Sequence, residues 1–221
     1  MGFRFQDLKA AHAAEWQAYT EHAFVRQLGE GTLSDEAFKH YLKQDYLFLL
    51  HFGRAYALAV YKSQNLEDLR HSLDGVKTIL DFELQLHIEY CSEWGISEEE
   101  LAQLPEARAT LAYTRYVFDA GSRGNLLDLH VALAPCLVGY AEVSQFLSRY
   151  ENTNRHNNPY EKWLSMYESD AFQEAAEQEA AWLDRRLANI SQERFDELSV
   201  IFRDATRLEI DFWQAGLDQA E

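Results

Sequence analysis

Ala134-Pro135-Cys136-Leu137-Val138-Gly139-Tyr140 lies inside an apolar run over 125–150 with helical spacing, and it sets a thiol directly after a proline. Proline in a helix interior removes one backbone hydrogen bond and crowds the carbonyl four residues back, here that of Val131. A defect of that kind within an apolar helix marks Cys136 as a position where local geometry matters. From Cys136, the positions Tyr140, Val143 and Leu147 follow at intervals of four, three and four, so they share one face. Leu137, Val138, Ala141 and Phe146 cover other faces, and the segment reads as a buried helix. A lone buried cysteine reads first as a small inert hydrophobe, so its neighbours must supply any further meaning.

The same period runs outward in both directions. Helices are expected at 6–28, 35–62, 66–94, 98–104, 106–120, 125–150, 159–168, 170–189 and 192–219, and no strand-like alternation extends beyond a few residues. Start signals agree: Ser97 with Glu100 forms a capping-box pattern, Asn158-Pro159 puts proline at a first turn, and Ser191 precedes the last helix. The polar stretch Glu151 to Asn158 reads as a loop between amphipathic helices. The expectation is a single all-α domain over 1–221, a helical bundle.

Bulk chemistry removes several function classes. Thirty-seven acidic residues against twenty Lys and Arg give a formal charge of −17, a field that repels nucleic acid and anionic membranes. No signal-peptide core opens the chain, and no uninterrupted apolar stretch of bilayer length is expected. Cys91 and Cys136 fall in separate segments with no paired spacing, which argues against a disulfide framework or a cysteine zinc site. A cytoplasmic, reduced protein is expected.

Function begins with polar residues on apolar stripes. In the second helix the inward line is Phe38, Leu42, Asp45, Leu49, Phe52, Tyr56; in the third it is Leu69, Leu73, Val76, Leu80, Glu83, His87, Tyr90, Trp94. In the last helix it is Leu198, Phe202, Ala205, Glu209, Phe212, Gly216. A buried carboxylate costs several kcal/mol unless it is paired or neutralised. Asp45 therefore wants a partner, and Arg54 or Arg115 would serve; Glu83 and His87 can bond to each other, and a small rotation of the last helix would expose Glu209. If the helices converge, these groups meet Cys136 and Tyr140 in one interior site. Two chemistries fit. One is covalent catalysis by a cysteine beside a carboxylate, in a pocket walled by Phe48, Tyr113, Tyr140, Tyr167 and Phe212. The other is a carboxylate-bridged di-metal centre, but its Glu-x-x-His spacing is missing: Glu83 and His87 are four apart, His130 and Glu142 twelve apart. No metal site is expected.

Seven segments together resemble the TenA/thiaminase II family. They are His22-Ala23-Phe24-Val25 with Gly31-Thr32-Leu33; Tyr41-Leu42-Lys43-Gln44-Asp45-Tyr46; Glu83-Leu84-Gln85-Leu86-His87; Ala112-Tyr113-Thr114; Leu133-Ala134-Pro135-Cys136 with Tyr140-Ala141-Glu142; Asn158-Pro159-Tyr160 with Trp163 and Tyr167; and Glu209-Ile210-Asp211-Phe212-Trp213. The resemblance implies a haem-oxygenase-like all-α fold, no cofactor and a homotetramer. It implies hydrolysis at the aminomethyl carbon of a 2-methyl-4-aminopyrimidine within thiamin salvage, with ammonia, or the thiazolium of thiamin, leaving. Cys136 would add to the pyrimidine, Asp45 would hold and protonate a ring nitrogen, and Glu209 would protonate the leaving group and then deprotonate water. Tyr113 and Tyr140 would bond to substrate or cysteine, and Tyr167 and Phe212 would line the pocket. The family often has tyrosine after Gln-Asp where this chain has Tyr46-Leu47-Phe48, so Phe48 keeps only a stacking role. A branch of the family lacks the cysteine, and Cys136 puts this chain in the other branch. A di-metal oxidase or oxygenase on the same fold and a non-enzymatic pyrimidine-sensing regulator are the rival readings.

Overall fold

The computed structural model describes residues 2–221. Among the described residues twelve α-helices follow one another: α1 (Phe5–Ala11), α2 (Ala13–Thr20), α3 (Ala23–Glu30), α4 (Asp35–Lys62), α5 (Leu66–Thr78), α6 (Leu84–Glu93), α7 (Glu98–Leu101), α8 (Arg108–Arg123), α9 (Leu126–Arg149), α10 (Glu161–Tyr167), α11 (Asp170–Leu187) and α12 (Gln192–Asp218). A π-helical turn, Ile79–Glu83, joins α5 to α6, and there is no strand among the described residues.

The long helices start where their caps stand. Ser34 Oγ accepts from the Ala37 N–H at 3.2 Å, and Asn65 Oδ1 accepts from the Asp68 N–H at 2.9 Å. Ser97 and Glu100 form the expected reciprocal capping box, and Ser191 Oγ accepts from the Arg194 N–H at 3.2 Å. Two sequence expectations need correction. The span 6–28 is three helices, because His12 adopts an extended φ of −130° and His22 turns its ring back to accept from the Phe24 N–H at 3.2 Å. Neither break carries glycine or proline, so neither shows as punctuation. The span 66–94 is helical throughout but not one α-helix, and its first half turns a different face inward. Leu69, Leu73 and Leu80 are exposed, while Asp68, Ser72 and Ile79 are buried. The cause is the extra residue of the π turn, where the Leu84 N–H bonds to the Ile79 carbonyl five residues back. After that turn Glu83, His87 and Tyr90 are buried as expected.

The chain forms two compact units. One comprises the stretch up to Leu33 together with His130–Trp213; the other comprises Ser34–Leu129 and Gln214–Glu221. In the second unit α4 packs against α5, α6 and α8. At Gly75 a Cβ would lie 2.3 Å from the Tyr56 ring, so only glycine lets α5 approach α4 this closely. The first unit is rich in aromatics: Trp16, Tyr19, Phe24, Tyr140, Trp163, Tyr167, Phe202 and Trp213 are all buried. Its Asn158-Pro159-Tyr160 segment is tied to the end of α3, since Asn158 Nδ2 donates to the Leu28 and Gly29 carbonyls and Tyr160 Oη donates to the Leu33 carbonyl. By length and composition α9 passes as a membrane span, with mean hydropathy 1.4, which the sequence analysis did not anticipate. Its apolar window is 83% buried within the protein, so those faces serve a core.

Candidate active site

Asp45 sits on α4 among apolar side chains and is 2% exposed. Burial without partners would cost this carboxyl several kcal/mol. The expected arginine is not its partner: Arg115 is held by Glu106 at 2.7 Å. Asp45 Oδ2 instead accepts from Tyr41 Oη at 3.0 Å and lies 2.7 Å from His87 Nε2. His87 is fully buried, and its Nδ1 lies 2.7 Å from the Glu83 main-chain carbonyl, one turn back. The sequence reading paired the two side chains of Glu83 and His87; the structure uses the Glu83 backbone instead. Burial alone would push His87 down, but the hydrogen bond and charge of Asp45, with the Glu83 carbonyl and carboxyl, outweigh it and hold the imidazole above its ordinary value.

Phe48 follows Asp45 by three residues on α4, and its ring lies 4.9 Å from that of Tyr113 on α8. The Gln44 side chain aligns these two helices. Its Oε1 accepts from the Ala107 N–H and from Thr110 Oγ1, each at 2.8 Å, and its Nε2 donates to the Pro105 carbonyl at 3.1 Å. Gln44 thus clamps the start of α8, one turn before Tyr113. In the sequence Gln44 shows only as part of the Gln-Asp motif, and its position next to Asp45 is the signal for its role.

In the first unit Pro135 does lie inside α9. Tyr19 Oη donates to the Pro135 carbonyl at 3.1 Å. At Gly139 a Cβ would lie 2.2 Å from the Tyr19 ring, so the glycine is what lets that ring close on α9. Tyr19 was not anticipated, because it lies 116 residues from Pro135. Cys136 and Tyr140 are buried on the same face. Around Tyr140 stand Tyr167, Trp213 and Trp163, with ring centroids at 5.0, 5.2 and 6.0 Å. Phe24 stacks on Trp213 at 4.8 Å. Glu209 is 1% exposed, which removes the expectation that a small rotation would free it, and Phe212 is buried beside it in sequence. The Tyr140–Trp213 contact joins α9 to α12 one helical turn from Cys136 on the first and one turn from Glu209 on the second.

The sequence-predicted residues therefore fall into two sets. Asp45, Phe48 and Tyr113 belong to one unit; Cys136, Tyr140, Tyr167, Glu209 and Phe212 belong to the other. His130 and Glu142, weighed as metal ligands, have separate partners. His130 Nδ1 lies 2.8 Å from Glu179 Oε1, while Glu142 bonds Lys9 and accepts from Trp16 Nε1 at 2.7 Å. Cys91 is a buried thiol pushed up to about 11 by desolvation, with Lys43 opposing, and a thiol so rarely ionised is a poor nucleophile.

Known proteins resemble this chain along nearly its whole length. It is 44% identical over 93% of its length to an uncharacterised protein of Haemophilus influenzae, covering 94% of that protein. It is 34% identical over 92% of its length to the aminopyrimidine aminohydrolase of Halalkalibacterium halodurans, covering 91% of it. Among solved structures, a protein described as a TenA family transcription regulator from Silicibacter sp. TM1040 superposes with a TM-score of 0.90 at 43% identity, over 98% of this chain and 97% of that one. A Shewanella denitrificans domain with a haem-oxygenase-like fold superposes at 0.76 with 14% identity, over 98% of this chain and 93% of its own, a likeness of fold alone. The TENA/THI-4/PQQC family profile matches residues 9–219, nearly the whole of an all-α chain, and the chain belongs to that family.

Proposed function

We propose that the protein is an aminopyrimidine aminohydrolase of thiamin salvage, hydrolysing 4-amino-5-aminomethyl-2-methylpyrimidine, with thiamin as a second substrate. The observation that carries this reading is the 34% identity, over nine-tenths of both chains, to a relative named for that activity. Cys136, Asp45 and Glu209, each buried on its own helix, supply the required groups. The Cys136 thiol gives its proton to the ring nitrogen held at Asp45 as its sulfur adds to a carbon of the pyrimidine, and the displaced ring electrons settle on that nitrogen. Those electrons then return to expel the aminomethyl nitrogen, which takes a proton from Glu209 and leaves as ammonia. Water adds to the exocyclic methylene and gives its proton to Glu209; the ring N–H proton returns to sulfur as it departs, which releases the hydroxymethylpyrimidine. Phe48, Tyr113, Tyr140, Tyr167 and Phe212 would give the ring flat, apolar neighbours.

Cys136→Ala should abolish turnover, by at least about a thousandfold as for loss of a covalent nucleophile, with unchanged helical circular dichroism. Near-native turnover would end the covalent mechanism. The Silicibacter relative's description favours a second reading, a pyrimidine-sensing regulator. Stoichiometric pyrimidine binding with no product over a long time course would favour it. Tight stoichiometric iron in protein grown with iron would instead revive a di-metal oxidase.

The same reading makes the protein a cytoplasmic homotetramer without nucleic-acid or membrane partners. Leu66, Leu69, Leu73 and Leu80 recur at helical spacing on the exposed face of α5 and the π turn, an apolar strip suited to a second copy of the chain. Light scattering would decide: a monomer at micromolar concentration would rule out the assembly.

A further inference from the structure

The Asp45–His87 pair has a proton count fixed by its chemistry. The Glu83 carbonyl can only accept, so His87 Nδ1 carries hydrogen. Nε2 and Asp45 Oδ2, 2.7 Å apart, then need one proton between them to be bonded at all. Tyr41 donates to the same Oδ2. Both hydrogen bonds of Asp45 thus fall on one oxygen among the described residues, and Oδ1 is left to bond a ligand. The charged and titratable groups facing His87 are Asp45 and Tyr41 from α4 and Glu83 from the π turn.

We propose that His87 is a positioning residue for the pyrimidine reaction: it holds the shared proton on the Nε2–Oδ2 line, so that Asp45 stays oriented and presents Oδ1 as an acceptor for the N–H edge of the ring. This rests on the functional reading above and adds to it a residue that need not touch substrate. It also gives the π turn a purpose. The extra residue at Ile79–Glu83 lets α6 aim His87 at Asp45, and the Glu83 carbonyl at its end fixes the tautomer. An imidazolium next to Asp45 makes it an acceptor, which holds a ring nitrogen in its N–H form as sulfur adds. The proton itself moves no further than between Nε2 and Oδ2.

The test uses the full chain and two variants. His87→Gln keeps an N–H donor near the Nε2 position but cannot be a cation; His87→Leu keeps volume and loses the donor. In wild type, kcat/KM for aminomethylpyrimidine should fall at alkaline pH as the shared proton leaves. His87→Leu should lose about 10- to 100-fold at every pH, the size of a lost charge-assisted hydrogen bond, and His87→Gln should recover part of that loss and no longer show the alkaline limb. Lowered thermal stability with the wild-type rate and pH profile in both variants would overturn the proposal, since that is what a purely structural histidine gives. If wild type turns over no aminopyrimidine, the functional reading fails separately. Calorimetric binding of hydroxymethylpyrimidine then decides for His87: loss in the leucine variant with rescue by glutamine supports it, whereas equal affinities or no wild-type binding overturn it.

Discussion

Two helical stretches depart from ordinary helix composition or winding beside candidate site residues, and they do so by different means. In α9 the departure is Pro135, a residue type, and it is visible to anyone reading the chain. Between α5 and α6 it is the π turn Ile79–Glu83, an extra residue in the winding, built from side chains that are ordinary in any α-helix. Pro135 lacks the N–H that the Val131 carbonyl would accept from, while Tyr19 Oη donates to the Pro135 carbonyl and Gly139 makes room for the Tyr19 ring. The π turn rotates everything after it by about 100° relative to an unbroken helix. A proline therefore marks a place, whereas a π turn reassigns a face.

That difference can be broken experimentally. His87→Leu removes the partner that the π turn delivers to Asp45 and leaves that buried carboxyl with only the Tyr41 hydrogen bond. Separating a buried ion pair costs about 3–5 kcal/mol, or a fall of roughly 6–20 °C in Tm for a chain of this size, measurable by calorimetry. An unchanged Tm would mean that the pair set up by the turn adds nothing to stability. Gly139→Ala tests the other helix. Its methyl group would collide with the Tyr19 ring, so a loss of about 1–3 kcal/mol is expected in denaturant unfolding, with helix content retained.

The smallest expected effect concerns pH. The folded protein holds the His87 proton more tightly than the unfolded chain does. The stabilisation is thus complete below the ordinary histidine value of about 6.5 and is lost as pH rises through the raised folded value, with a slope of at most about 1.4 kcal/mol per pH unit. The difference in unfolding free energy between wild type and His87→Gln should shrink over that interval. A difference that grows with pH would reverse the sign assigned to the pair.

Much of the candidate site was legible because burial and chemistry disagree there. Asp45 and Glu209 stand out as charges on apolar stripes, and both stripes proved to be buried in the expected register. Their neighbours were not legible in the same way. An arginine looked like the natural partner for Asp45, yet a histidine 42 residues away supplies it. Nothing in the pattern of α4 alone could choose between them. Gln44 and Tyr19 were missed because each acts through a backbone atom distant in sequence, and main-chain acceptors leave no residue-type signature.

The periodicity of the chain determined that it is all-helical, and the misplaced polar side chains on its apolar seams determined which residues to suspect, because solvation energy depends on residue type and spacing. Tertiary structure alone decided which face of α5 is buried, which base meets Asp45 and why glycine stands at 139. Each depends on a contact between segments far apart in sequence, and local periodicity carries no information about the partner.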